Sequence, residues 1–382
     1  MPQATTRKLG NPPGAEPDAG RQDVGLAEAG ALLRIDLGAI RQNYRRLADM
    51  LPASGCAAVL KANAYGLGAA AVGSALAREG CCTFFVAHVH EGIALRETLG
   101  AGPTIFVLHG LFSGAEPLAT AAALTPVLNS PEQLRAWRIA AGRNAPAALQ
   151  VDTGMGRIGM APEDFVALTD ADFAGLDLRL IMSHLACADE PDNPANGRQL
   201  ETFIALRGRF EKIPASLANS SGIFLGEAYH FDLVRPGAAL HGINPTPGRQ
   251  NPMAPVVRLH ARVIQTRTLP PYSGVGYGHA FHTIGTQRVA TVALGYADGW
   301  HRRIGGAAWY QGVRLPILGR VSMDSIILDV SALPPGAPRA GELVEMIGPH
   351  QDVDAVAEAG GTIGYEVLTS LAERFHRIYA GG

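Results

Sequence analysis

From residue 57 the chain alternates short apolar runs with Ala-, Leu- and Arg-rich stretches of helical spacing. The runs are AAVLKA (57–62), TFFVAHV (83–89), TIFVLH (104–109), LTPVLN (124–129), AALQVDT (147–153), LRLIMSHLA (178–186), ASLANSS (215–221) and FDLVRPG (231–237). Such continuous runs suit strands buried on both faces of a parallel sheet, with helices as cover. Eight βα units in succession predict a (β/α)8 TIM-like barrel, with a doubly wound sheet as the alternative. Polar residues fall at the C-terminal ends of these runs: Lys61, His109, Asp152, His184, Ser220 and Arg235. That rim is where barrel active sites are built.

The flanks have a different texture. Residues 1–30 are rich in Gly, Pro, Ala and acidic residues and read as a disordered extension. LLRIDL (32–37) reads as a strand, and residues 38–51 as a helix with Ile40, Tyr44 and Leu47 on one face. After about residue 254 the pattern alternates with period two, in VVRLHARVIQTRTL (256–269), QRVATVAL (287–294), RLPILGRVSMDSIILDV (314–330) and ELVEMIG (342–348). Gly/Pro turns separate these runs, which predicts a second, mostly antiparallel β domain. A short helix is expected over 369–375.

Composition narrows the function without naming it. The chain has 382 residues, 47% apolar and 17% charged, with a net charge of −2, which gives no reason to expect nucleic acid or an anionic membrane. No apolar run approaches the ~20 residues of a membrane span, and no secretory pattern opens the chain. Cys56, Cys81, Cys82 and Cys187 lack metal-type spacing, and His88/His90 and His279/His282 make no zinc site by themselves, so no metal is expected. Unpaired thiols point to a reducing cytoplasm.

The lysines are more informative. There are three, Lys8, Lys61 and Lys212, and only Lys61 ends a buried run. Burying an ammonium is costly, but desolvation yields the neutral amine that a Schiff base to pyridoxal phosphate (PLP) needs. The competing reading is a lysine that packs its stem and leaves its head in water. Around it, Asn219-Ser220-Ser221-Gly222 offers hydroxyls and N–H groups for a phosphate, or a plain helix cap. Arg235 can face a pyridine nitrogen and, staying protonated, leave that nitrogen unprotonated, or be a surface arginine at a loop. The glycine-dense turn 152–159 carries Arg157, which can clamp a carboxylate or phenolate. The loop 274–279 carries one tyrosine, Tyr277.

Taken together, VLKANAYG, DTGMGRIG, SHLACADE, NSSG, VRPG, GYG, GYADGW, GRVSMD and IGYEV, in this order over residues 32–379, resemble the alanine racemase family, PLP enzymes of fold type III. The resemblance implies a barrel over 40–253, a β domain over 254–382 that contributes to the partner's active site in a homodimer, and a strand at 31–39 that joins the β domain. It implies racemisation of L- and D-alanine, supplying D-alanine for peptidoglycan. Lys61 matches the Schiff-base lysine and one base, and Tyr277 the second base, on the opposite face of the substrate. Tyr65, Arg157, His184, Ser220, Arg235, Gly237, Ala238 and Tyr365 match cofactor positions. Arg157 and Met323 match substrate contacts, Met323 like Tyr277 acting across the interface. Asp189, Tyr296, Arg302 and Ile363 match the entry. Two positions depart from the family pattern: Gln150 stands where a lysine, carbamylated in some members, is common, and Gly364 where asparagine is common. A broad-specificity racemase of the same fold, a decarboxylase of fold type III and a non-enzymatic PLP-binding protein are the alternatives. The missing secretion signal, the arginine at 235 and the added β domain weigh against them in turn.

Overall fold

A computed structural model describes residues 26–382. The expected extension at 1–30 lies outside the described residues except for its last five. Those are docked: the carbonyls of Leu26 and Ala29 accept hydrogen bonds from the Arg262 guanidinium.

Seven parallel strands pair in sequence order: Ala58–Val59, Thr83–Val86, Thr104–Val107, Thr125–Leu128, Ala145–Gln150, Leu176–Met182 and Ala215–Ser216. An eighth, Leu233–Val234, pairs in parallel with Gly55–Cys56, just before the first. Its flanks reach the seventh, since Asp232 N–H donates to Ala215 O (3.0 Å) and Arg235 N–H to Ala218 O (2.9 Å). Hydrogen bonds therefore run round a closed ring. Consecutive residues point to opposite faces, and both faces are buried: Phe85 packs inside the ring on Phe106, ring centroids 4.7 Å apart, while Phe84 joins the apolar layer under the helices. That double burial is why the runs are continuous rather than alternating.

The second unit is a mixed sheet in which most neighbours are antiparallel. Its long strand Val257–Leu269 pairs with Gln287–Val292, with Leu343–Ile347 and with the chain's first strand, Ala31–Asp36. Ala31–Asp36 also pairs in parallel with His376–Ala380. The 314–330 run is two strands, Val313–Pro316 and Ile326–Asp329, because its polar centre forms a turn. The helix expected at 369–375 lies instead at Gly364–Ser370. Residues 376–380 pair with Ala31–Asp36, so the sheet claims the end of the chain. Sequence reasoning also passed over the helix Val353–Gly360 and the strand Ala307–Tyr310.

The two units meet at the C-terminal rim of the barrel. Arg377 donates to Gly66 O (2.6 Å) and Tyr379 Oη to Leu67 O (3.0 Å), so the last strand holds the loop after Lys61. Asp354 accepts from Asn244 N–H (2.9 Å), tying the helix Val353–Gly360 to the end of the barrel.

Candidate active site

The strand that leads to Lys61 stops at Val59, and the backbone beyond it is unusual. Ala62, Asn63, Ala64 and Tyr65 all have φ of 53–54°, a left-handed turn without glycine. Such a conformation costs about 1–2 kcal/mol per residue. The surroundings hold it: Glu91 Oε1 accepts from Ala62 N–H (2.7 Å), Asn63 Oδ1 from Ala69 N–H (2.8 Å), and Ala62 O from Gly66 N–H (2.8 Å). The turn directs both Lys61 and Tyr65 into one cavity of about 540 Å³ at the rim. Lys61 is half-buried there. Burial lowers its pKa, the Arg157 and Arg235 cations lower it further, and Glu91 opposes them.

Behind the cavity lies a buried cation. Arg235 is 3% exposed, and its partners are all neutral: Ser183 O (2.6 Å), Leu217 O (3.4 Å), the Ser216 hydroxyl and His184 Nδ1 (3.3 Å). Burial brings its pKa down to about 9, which leaves it charged at neutrality. Because the guanidinium can only donate, Nδ1 of His184 accepts, which places that ring's proton on Nε2. Burial, then the Arg235 charge, lowers the His184 pKa to about 3, so the ring is neutral. Arg235 Nε has no partner among the described residues, although the side chain lines the cavity.

A third wall is polar and compact. Ser220 Oγ accepts from the N–H groups of Gly237 (3.0 Å) and Ala239 (3.1 Å), folding 219–222 against 237–239. Among the described residues the N–H groups of Ser221 and Ala238 have no acceptor. Tyr65 packs on His241, centroids 4.7 Å apart, and sets its hydroxyl against Gly237, where any Cβ would collide with it. A side chain at 237 would therefore displace the tyrosine from the wall.

Arg157 stands on the glycine-dense turn. The Asp152 carboxylate accepts from the N–H groups of Gly154, Met155 and Gly156 at 2.8–2.9 Å. Gln150 Nε2 donates to Ile158 O (3.1 Å). Gln150 thus fastens the loop backbone and makes no hydrogen bond to the exposed Arg157 guanidinium. From the β unit, Tyr365 and Thr369 close the cavity. Thr369 was missed in the sequence. Its i,i+4 spacing from Tyr365 on one helix was the available signal. The glycine at 364 also has a reason: a Cβ there would lie 2.7 Å from Asp354 Oδ1 and 3.3 Å from Ile243.

Of the residues that the resemblance singles out, Lys61, Tyr65, Arg157, His184, Ser220, Arg235, Gly237, Ala238 and Tyr365 come together in the cavity. Tyr277, Met323, Asp189, Tyr296, Arg302 and Ile363 do not line it and are exposed. Tyr277 sits on a short turn in the hairpin formed by Gly274–Val275 and Phe281–His282, with 64% of its surface free. Glu91 and His109 are two further groups at the site. The first is a glutamate in the first turn of the helix Val89–Leu99, and the second lines the cavity.

Comparison with known proteins places this geometry. The sequence model for "Alanine racemase, N-terminal domain" matches residues 35–245, and that for "Alanine racemase, C-terminal domain" matches residues 256–379. A protein of Mesorhizobium japonicum named "Alanine racemase, catabolic" is 61% identical over 364 residues, covering 94% of this chain and 96% of that one. An alanine racemase of Brucella canis is 46% identical over 380 residues, covering 94% and 96%. The crystal structure of alanine racemase from Bartonella henselae with covalently bound pyridoxal phosphate superposes with a TM-score of 0.88 at 39% identity, over 92% of this chain and 99% of that one. The closed barrel, the mixed β unit and the sequence matches agree, and the chain belongs to the alanine racemase family.

Proposed function

We propose that this protein interconverts L- and D-alanine as a PLP-dependent two-base racemase. The observation that carries the reading is a half-buried lysine amine and a buried arginine with no carboxylate partner, facing one cavity. The residues fit the cofactor. An amine pushed toward neutrality suits a carbonyl. The free Nε of Arg235 suits a ring nitrogen that accepts without being protonated. The unpaired N–H groups at 221 and 238, with the Tyr65 hydroxyl, suit a phosphate. When bound, PLP supplies the electron withdrawal that acidifies the substrate Cα.

The side chains do the rest. Arg157 and Met323 orient the substrate carboxylate. Lys61 removes or returns the Cα proton on one face, serving the D-enantiomer, and Tyr277 serves the L-enantiomer on the other. Two bases are required because racemisation uses both faces of one carbon. Arg235 donates a hydrogen bond without surrendering its proton, which favours return of the proton to Cα over side reactions. Gln150 and Asp152 hold the Arg157 loop from two sides.

Tyr277 is exposed and stands away from the cavity of its own chain, which supports a homodimer in which the β domain of one copy, residues 254–382, completes the barrel site, residues 40–253, of the other. Among the described residues no helix is long and apolar enough to cross a membrane. We place the enzyme in the cytoplasm, where D-alanine for peptidoglycan is needed. A degradative role is the second reading, favoured by relatives 61% and 53% identical that are named "Alanine racemase, catabolic". The test is to add the protein to L-alanine and to D-alanine separately, without keto acid, and to follow the chirality of each. Convergence on a racemic mixture supports the reading; no change in a PLP-bearing protein overturns it.

A further inference from the structure

Glu91 is the third residue of the helix Val89–Leu99, and its carboxylate does more than that helix requires. Oε2 accepts from the N–H groups of Ala87 (2.8 Å) and His88 (3.0 Å), which caps the helix from within. Oε1 accepts instead from Ala62 N–H (2.7 Å), on the loop after the first barrel strand. A helix cap has no need of that third bond, which crosses from the second βα unit to the first. The residue it reaches directly follows Lys61. On the other side of Lys61, Leu60 N–H donates to Phe85 O (2.8 Å), in the second barrel strand Thr83–Val86. The two amides that flank the lysine are thus both tied to the second unit, one by backbone and one by the Glu91 side chain. Beyond them runs the left-handed turn, with φ of 53–54° over residues 62–65, in which no glycine relieves the backbone.

What such an anchor does follows from the chemistry of lysine. Its four-carbon stem is flexible, so the place of the amine depends on where the backbone launches it. Bonding to a carbonyl tolerates some play, because the stem adjusts. Proton transfer at one carbon does not: a misplacement of about 1 Å costs about 10²-fold in rate. We propose that Glu91 is a positioning residue for Lys61, holding the Lys61–Ala62 peptide so that the amine meets the substrate Cα at the distance and angle that proton transfer requires. Glu91 acts through Lys61 and does not meet the substrate carbon. The inference rests on the racemase reading above.

The experiment compares the PLP-loaded wild type with Glu91→Gln and Glu91→Asp. Glutamine has one acceptor oxygen in place of two, so it keeps the two bonds of its own helix and gives up Ala62. Aspartate is one methylene short of Ala62 but keeps the charge. Burial, then Arg157 and Arg235, disfavours the Lys61 ammonium and Glu91 opposes them, so the aspartate variant separates reach from charge. Both variants should retain the cofactor on gel filtration, melt within a few degrees of the wild type and lose about 10²-fold in kcat. The loss should fall on the step that Lys61 performs, and isotope effects locate it. With deuterium at Cα, the rate effect measured from D-alanine, whose proton Lys61 removes, should rise relative to the effect from L-alanine, whose proton Tyr277 removes. Apart from turnover, amide hydrogen exchange read by mass spectrometry should quicken about tenfold in the peptide bearing Ala62 and stay unchanged in the strand Ala145–Gln150. Wild-type kcat in either variant would overturn the proposal. So would a loss of activity that matches lost cofactor or a lower melting temperature and leaves the two isotope effects in their wild-type ratio, since that is the mark of a helix cap alone. If the wild type converts neither enantiomer, the racemase reading fails and this role falls with it, whatever the exchange at Ala62.

Discussion

The two proposed bases occupy opposite kinds of ground. Lys61 stands in a cavity whose walls are all built by its own chain: a left-handed turn held by Glu91, a buried arginine held by carbonyls, and a lid from the helix Gly364–Ser370. Tyr277 stands on a short hairpin, 64% exposed, with no such walls. Desolvation is what makes a lysine a usable base, and one chain can supply it. A tyrosine is a poor base until cations surround it, and a single copy of this chain gives Tyr277 no such enclosure. On the proposed two-base reading, one half of the chemistry is finished on folding and the other half only on assembly.

The largest effect should come from the finished half. Lys61→Ala is expected to lower turnover about 10³-fold or more in both directions, with loss of covalently retained cofactor, read by activity and by gel filtration of the PLP-loaded protein. Tyr277→Phe should keep the cofactor and lower Cα proton exchange from L-alanine by about 10²–10³-fold, read by deuterium wash-in. Mixing these two inactive variants, unfolding and refolding them together, should restore about a quarter of wild-type activity. Half of the random dimers are then mixed, and each holds one intact site of two, Lys61 from one copy and Tyr277 from the other. No recovery would place both bases in one chain and break the comparison.

The barrel strands were legible in the sequence because double burial writes itself as unbroken apolar runs, and the rim residues because they end those runs. Residues 62–65 gave no warning of a left-handed turn, since that conformation is held by Glu91 from outside and by the Asn63 side chain closing on Ala69 N–H, rather than by glycine within. The helix Gly364–Ser370 was misplaced because its N-cap, Ile363, offers no capping side chain to mark the start, and the residues soon after its end belong to a strand claimed by pairing with residues far away in sequence. At Gln150, the sequence showed the missing lysine but not that the amide would bind Ile158 O rather than the neighbouring guanidinium.

Smaller effects sharpen the same contrast. His184 and His241 each have a pKa near 3, lowered chiefly by burial. In the unfolded chain both would titrate near the ordinary histidine value, so between that value and about pH 3 the unfolded state binds more protons. Stability is therefore expected to be full above the ordinary value and to fall as the pH drops from there toward 3. Urea midpoints in that window should decline less steeply in His184→Gln. Gly364→Ala should cost least, about 1 kcal/mol of stability with a few-fold weaker PLP binding, because Asp354 must give way and Tyr365 shifts with it. Unchanged PLP titration in that variant would remove the lid from the account of the cavity.

The first strand of the described chain, Ala31–Asp36, is clamped between Val257–Leu269 and His376–Ala380, with Leu32 opposite His376. Its parallel neighbour is therefore translated long after it, behind the whole barrel and most of the β unit. The barrel can close while the β unit is still being translated, but this strand must wait with one edge unpaired until His376–Ala380 has been made. Pairing of such high contact order is slow, and an open edge is an aggregation hazard in the meantime. Removing the final segment should thus strand the N-terminus as well, and the loop after Lys61, which Arg377 and Tyr379 hold, would lose its anchor with it. Completion of the catalytic rim is in this way linked to translation of His376–Ala380.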